Sequence, residues 1–232
     1  MSRRDQLQAT TAEEIKGVAL KLMTTSGPDA ISLRAIAREM GMAVSAIYRY
    51  YAARDDLVST LISDVHSVLV EAVESARDAQ PEDDPAGRII AWSQAFRDWA
   101  ITNPSGFKLV YGDPVPGYQP PEGGPAPETQ HRVCTGLIDL IEGVWPCAES
   151  RQPADRHQWS DFDPRLVASV REEFPELPPA AVALAVRLWG RMHGLVSLEI
   201  YGHLRTHVRD PETLYRAEMH DLVRSLGLIP TT

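Results

Sequence analysis

Ala37, Gly41 and Ile47 constrain this chain more than any other residues. They stand four and then six positions apart in the stretch Ile31 to Leu57, ISLRAIAREMGMAVSAIYRYYAARDDL. A small residue, a residue tolerant of positive φ and a large apolar residue at that spacing form the skeleton of a helix-turn-helix. Ala37 allows a second helix to cross the first closely, Gly41 permits the turn, and Ile47 returns to the buried seam. Ser32 is a good N-cap, and Leu33, Ile36, Ala37 and Met40 recur at helical spacing. Met42, Ile47 and Tyr51 continue the apolar side. Arg34, Arg38, Val44, Ser45, Ala46, Arg49 and Tyr50 fall mostly on the other side. An exposed face with Arg and Tyr on a short helix suits the major groove of DNA.

The continuation, AIYRYYAARDDLVSTLI from Ala46 to Ile62, is more specific. It reads Ile47, Tyr48, any residue, Tyr50, Tyr51, a short linker, Arg54, two residues, then Leu57. This resembles the end of the DNA-binding domain of TetR-family transcriptional regulators, and the resemblance spans roughly Thr11 to Ile62. Farther on, Trp189, His193 and Gly194 are similar to the Trp-His-Gly-containing effector domain of one subgroup. The resemblance implies a three-helix head, a helical body, and a homodimer made by the last two long helices. It also implies that helix 4 links ligand binding to the spacing of the two heads.

Net charge does not contradict a DNA-binding head. The formal total is −9, but residues 1–56 hold eight Lys/Arg against seven Asp/Glu, a net of +1. The remainder is acidic, at −10. DNA contact is therefore expected from the head, and strong nonspecific binding by the whole chain is not. Cys134 and Cys147 form no Cys-x-x-Cys pair and read as free, buried thiols. The start, MSRRDQLQATT, has no apolar signal core, and no apolar run reaches the ~18 residues of a membrane span. A cytoplasmic protein is expected.

Domain boundaries are placed at 1–56 for the head and 57–232 for an effector-binding and dimerisation body. Ser2 to Thr10 reads either as a disordered tail or as an arm reaching phosphates or the minor groove. Helix 1 is expected over Ala12–Thr25, with Thr11 as N-cap and Glu14 completing a capping box. Helix 4 is expected from Arg54 to Ala79. Helices follow over 86–102, 104–111, 129–144, 164–174, 179–205 and from 211 to Gly227, with Pro146 ending or kinking the one that begins at 129. Residues 112–128 hold six prolines and four glycines and read as a long surface loop, with a lid as the alternative. The fold class is all-α.

By position in the resembled motif, Arg34, Val44, Ser45, Ala46 and Arg49 face base edges. Arg can bond guanine, whereas Val44 and Ala46 can only meet a thymine methyl. Ser32, Tyr48, Tyr50 and Arg54 hold phosphates without reading sequence. The chain departs from the family pattern at Ala43, where Ser or Thr commonly caps the recognition helix. In the body, Trp92, Phe96, Trp99, Phe107, Tyr111, Trp145, Trp189, Met192 and His193 suit a cavity for a small apolar or aromatic effector, or else ordinary core. Glu199, His203 and His207 have i, i+4 spacing that could hold a metal near a helix end, but no metal or cofactor is assigned. There is no Gly-x-Ser-x-Gly elbow, phosphate loop or His-Glu-x-x-His, so no enzyme is expected. The reading is a homodimeric repressor that binds a palindromic double-stranded operator and is released by its effector. The alternative is an all-α ligand- or protein-binding module that does not read DNA.

Overall fold

The computed structural model describes residues 2–120, 126–152 and 157–229. Residues 121–125 of the Pro- and Gly-rich loop and 153–156 of the second loop lie outside the described residues. Among those described there are ten α-helices and no β-strand. The helices are α1 Arg3–Ser26, α2 Leu33–Glu39, α3 Val44–Ile47, α4 Arg54–Asp78, α5 Pro85–Thr102, α6 Pro104–Tyr111, α7 Ala126–Ala148, α8 Pro164–Glu173, α9 Pro179–Ile200 and α10 Pro211–Ser225. Proline opens α5, α6, α8, α9 and α10. Its missing N–H would be unsatisfied at that position in any case, and its φ is already helical. Asp163 and Asp210 cap α8 and α10 by accepting from the Arg165 and Thr213 amides.

Two boundaries differ from the sequence reading in ways that matter for the site. α1 begins at Arg3, not Ala12, because Ser2 and Asp5 form a reciprocal capping box. The hydroxyls of Thr10 and Thr11 turn back onto the carbonyls of Gln6 and Leu7, so Thr11 is not a cap. α9 stops at Ile200, not Arg205, because Gly202 takes φ +80°. The His203 amide donates to the Leu198 carbonyl and the Gly202 amide to the Glu199 carbonyl, which together make a Schellman closure. This removes the single helix face on which Glu199, His203 and His207 were to share a metal. Pro146 sits inside α7, which runs on to Ala148. Cys134 and Cys147 are free but exposed, not buried.

The chain forms two compact units. The first comprises Met1–Val68 and Asn103–Gln130, and the second Leu69–Thr102 and His131–Thr232. α4 therefore contributes its first part to one unit and its last part to the other. The core of the first unit joins Ile15 and Ala19 of α1, Ile36 and Ala37 of α2, Ile47 of α3, and Leu57 and Leu61 of α4. Leu109 of α6 and Val115 of the following segment belong to the same core. Lys16 of α1 pairs with Asp64 of α4 across it.

In the second unit α5, α9 and α10 pack on one another. Arg97 of α5 is nine-tenths buried and grips Glu199 of α9 through Nε at 3.0 Å and Nη2 at 2.8 Å. A bidentate arginine–carboxylate pair of this kind fixes angle as well as distance. Tyr215 of α10 donates its hydroxyl to the Ser93 carbonyl at 2.9 Å, and burial raises its pKa. Between α5 and α7, Gly136 lies under the Trp92 ring, so a Cβ there would come within 2.4 Å of it. Arg77 lies 5.7 Å from the centre of the same ring and bonds Asp139 at 2.9 Å.

Candidate nucleic-acid interface

The helix-turn-helix is closed by main-chain bonds that only a residue like Gly41 permits. α2 is capped by Ser32, whose Oγ accepts from the Ala35 amide at 3.1 Å. It ends where Gly41 takes φ +65°, with the Met42 amide donating to the Ala37 carbonyl at 2.9 Å and the Gly41 amide to the Arg38 carbonyl at 3.3 Å. This is the same Schellman closure as at Gly202. Ala37 itself is buried, and Ile47 is fully buried beneath α3. These three residues thus hold the places that their spacing predicts.

α3 is a single turn, Val44–Ile47, and Ala43 offers it no side-chain cap. Its exit continues in turns, the Tyr48 amide donating to the Val44 carbonyl and the Tyr50 amide to the Ile47 carbonyl. The departure at Ala43 therefore leaves a short helix whose first amides have no side-chain acceptor.

Arg34, Ser45, Tyr48 and Arg49 are exposed, with Tyr48 half accessible to solvent. Val44 and Tyr50 are partly buried against the core, and Ala46 is partly buried as well. Arg38, outside the residues assigned to base or phosphate contact, is exposed as well. Two of the residues assigned to phosphates already have partners. The Ser32 hydroxyl caps α2. Arg54 donates from Nε to the Ile31 carbonyl at 2.7 Å and from Nη1 to the Pro116 carbonyl at 3.0 Å. A guanidinium carries more N–H groups than those two bonds use. Beside the exit of α3, an open groove of ≈ 390 Å³ is lined by Asp5, Gln8, Ala9 and Ala12 of α1 together with Arg49, Tyr50 and Tyr51. The early start of α1 supplies that wall. Its sequence signal is Ser2 followed three residues later by Asp5.

The nine residues assigned to an effector fall into both units. Phe107 and Tyr111, with ring centres 5.3 Å apart, belong to the first, where His66 meets the Tyr111 ring edge-on. The other seven belong to the second. There Phe96 lies 6.3 Å from both Trp99 and His193, and Trp189 lies 5.4 Å from His193. His193 bonds the Ser197 hydroxyl at 3.2 Å, and burial lowers its pKa. Trp92, Phe96, Trp99, Phe107 and Met192 are buried, Trp145 is partly buried, and Trp189 reaches solvent.

The sequence pattern described as bacterial regulatory proteins of the tetR family matches residues 9–61. The pattern described as tetracyclin repressor-like, C-terminal domain, matches residues 89–222. The HTH-type transcriptional regulator Rv1816 of Mycobacterium tuberculosis (strain ATCC 25618 / H37Rv) is 34% identical over 230 residues, covering 97% of this chain and 94% of the relative. The HTH-type transcriptional regulator Mb1846 of Mycobacterium bovis has the same identity and coverage. Among solved structures, regulatory protein SCO4313 superposes with a TM-score of 0.73 at 27% identity, over 96% of this chain and 100% of that one. The TetR-family regulator PfmR of Thermus thermophilus shares the fold, with a TM-score of 0.57 at 15% identity over 90% of this chain and 97% of that one. Head and body are thus both matched, and the relatives cover nearly the whole chain, so that the chain belongs to the TetR family of DNA-binding transcriptional regulators.

Proposed function

We propose that the protein is a homodimeric repressor that binds a palindromic operator and leaves it when a small apolar or aromatic molecule enters the body. The observation that carries the DNA half is the exposed set Arg34, Ser45, Tyr48 and Arg49 around a helix-turn-helix closed at Gly41. Arg34 and Arg49 supply bidentate donors for guanine, and Ser45 a hydroxyl. Val44 and Ala46 offer methyl groups to thymine. Tyr48, Tyr50 and Arg54 fix the head on the phosphates.

Dimerisation is assigned to α9 and α10. Val186, Trp189, Leu198 and Tyr201 at α9 and Leu214 of α10 are large apolar residues that remain at least a third exposed. Apolar side chains concentrated on two adjacent helices suit a self-complementary two-fold contact. Two heads related by that axis would read a palindrome. The effector half is supported by the ring cluster of Phe96, Trp99, Trp189 and His193, in which one imidazole offers a polar anchor among aromatic walls. Among the described residues no helix is long and apolar enough to cross a membrane. The protein is assigned to the cytoplasm because its target is DNA.

Selection from a random DNA pool with the purified protein tests the central reading. A palindromic consensus supports it, and a pool that yields no enriched sequence contradicts it. All five tryptophans lie at or beyond Trp92, so their fluorescence reports ligands of the body. A ligand found this way must weaken operator binding, and operator must weaken ligand binding by the same factor.

A further inference from the structure

We propose that the segment Val115–Gln119 is a positioning element of the DNA-binding head, holding Arg54 and the first turn of α4 in the form that meets the DNA backbone. The inference rests on the reading of the head as a DNA binder. The segment lies in the stretch expected to be a plain loop or a lid. Instead it straps onto the start of α4. Val115 is buried in the head core at 7% exposure, and Tyr118 places its hydroxyl 2.7 Å from Ser59 Oγ. The Pro116 carbonyl accepts from Arg54 Nη1, while the Gln119 amide donates to Asp55 Oδ2 at 3.3 Å. Arg54 Nε is held from the other side by the Ile31 carbonyl, one residue before the cap of α2.

The chemistry of these partners matters. Carbonyl oxygens orient a guanidinium without neutralising it, so Arg54 keeps a full charge for a phosphate. Asp55 Oδ1 stands 3.9 Å from Arg54 Nη1, too far for a hydrogen bond, and the strap occupies the other carboxylate oxygen. One short segment thus aims the cation and restrains the anion beside it. An arginine already fixed in the free protein does not lose its rotamer freedom on binding. Loosening the strap is therefore expected to weaken operator binding by about threefold to tenfold, the factor for immobilising one long side chain.

The test measures operator affinity by fluorescence anisotropy with the full chain, using DNA selected by the wild type. Tyr118→Phe and Ser59→Ala each remove the same hydrogen bond and Val115→Ala loosens the buried anchor. Each is expected to weaken binding, with Tyr118→Phe and Ser59→Ala together no worse than either alone. The loss is expected to be equal across operators altered at single bases, because the strap reads no base. It is expected to vanish in an Arg54→Ala background, which a strap that merely supports the fold would not show. Strap variants that bind as the wild type does, bind more tightly, or lose the same factor without Arg54 would overturn the proposal alone. A wild type that enriches no DNA sequence overturns the DNA reading and the strap with it.

Discussion

Arg54 in the first unit and Arg97 in the second are both held by internal partners, yet the partners differ in kind. Arg54 is hydrogen-bonded by two neutral carbonyls, with Asp55 at 3.9 Å as its carboxylate neighbour, and keeps 27% of its side chain exposed. Arg97 is bound by the Glu199 carboxylate, with Asp98 and Glu212 within 4 Å, and keeps 9%. Carbonyls aim a charge and leave it available, whereas a bidentate carboxylate consumes it in joining helices. The charge of Arg54 is thus oriented without being neutralised by its two carbonyl partners, although Lys16 of the same unit is paired with Asp64, and the body uses a buried cation to join α5 to α9 beside α10.

The largest effect is expected where the charge is buried. Arg97→Ala strands the Glu199 carboxylate among packed helices, and breaking such a pair costs about 3–5 kcal/mol. Urea denaturation measures it. A loss below about 1 kcal/mol, the size of an exposed pair, would show that solvent reaches Glu199 and that the contrast with Arg54 is one of degree. Next comes Arg54→Ala, expected to weaken operator binding by roughly 1.5–3 kcal/mol while lowering the salt slope by about 1. Tyr48→Phe is expected to cost about 0.5–1.5 kcal/mol, equally across operator sequences. A change of preferred base at one position would make either residue a reader of sequence.

Gly136→Ala sharpens the body half of the comparison. The added methyl meets the buried Trp92 ring, and overpacking of this kind costs about 1–3 kcal/mol. A variant as stable as the wild type would mean that the ring has space to move into, which is the property an effector cavity needs. A destabilised variant with shifted tryptophan emission places Trp92 in the close-packed core instead.

The helix-turn-helix was legible because its constraints are local. Ala37, Gly41 and Ile47 act through main-chain bonds and packing within eleven residues, so type and spacing suffice. The helix starts marked by proline were legible for the same reason. The start of α1 was not, since residues 2–10 are exposed and carry no apolar stripe, and only the Ser2–Asp5 cap marks it. The Arg97–Glu199 clasp joins residues 102 apart, and the strap joins Ser59 to Tyr118 across 59. No local pattern announces such partners. In hindsight Val115 and Tyr118, the only large apolar residues between Gly112 and Glu128, were the signal that part of the loop is packed. The aromatic set looked like one cavity because residue type carries no information about which unit a ring joins.

Each unit also contains one histidine whose burial disfavours the charged form, and these give the smallest expected effect. His66 of the first unit is 5% exposed against the edge of Tyr111, and burial lowers its pKa, partly offset by the Ile62 carbonyl. His193 of the second is lowered by burial among Phe96 and Trp189. A histidine whose folded pKa lies below its unfolded value of about 6.5 is neutral in both states above that pH, and has no effect on stability there. As pH falls below about 6.5 the unfolded chain takes up the proton first. Stability then declines until pH reaches the folded value. Urea midpoints between about pH 7.5 and about pH 5.5 are expected to fall for the wild type, and to fall less for His66→Leu and for His193→Leu. The exposed His131–Glu173 pair, at 2.9 Å, is common to all three proteins and cancels from the difference. The variant with the flatter profile identifies the unit that yields first to acid. If that variant is His66→Leu, the operator affinity of the wild type should also weaken on acidification, because His66 shares the first unit with α2, α3 and the strap. Variant midpoints that fall as steeply as those of the wild type would mean that neither imidazole titrates differently in the fold and in the unfolded chain, and the assignment of burial as the dominant influence on them would be wrong.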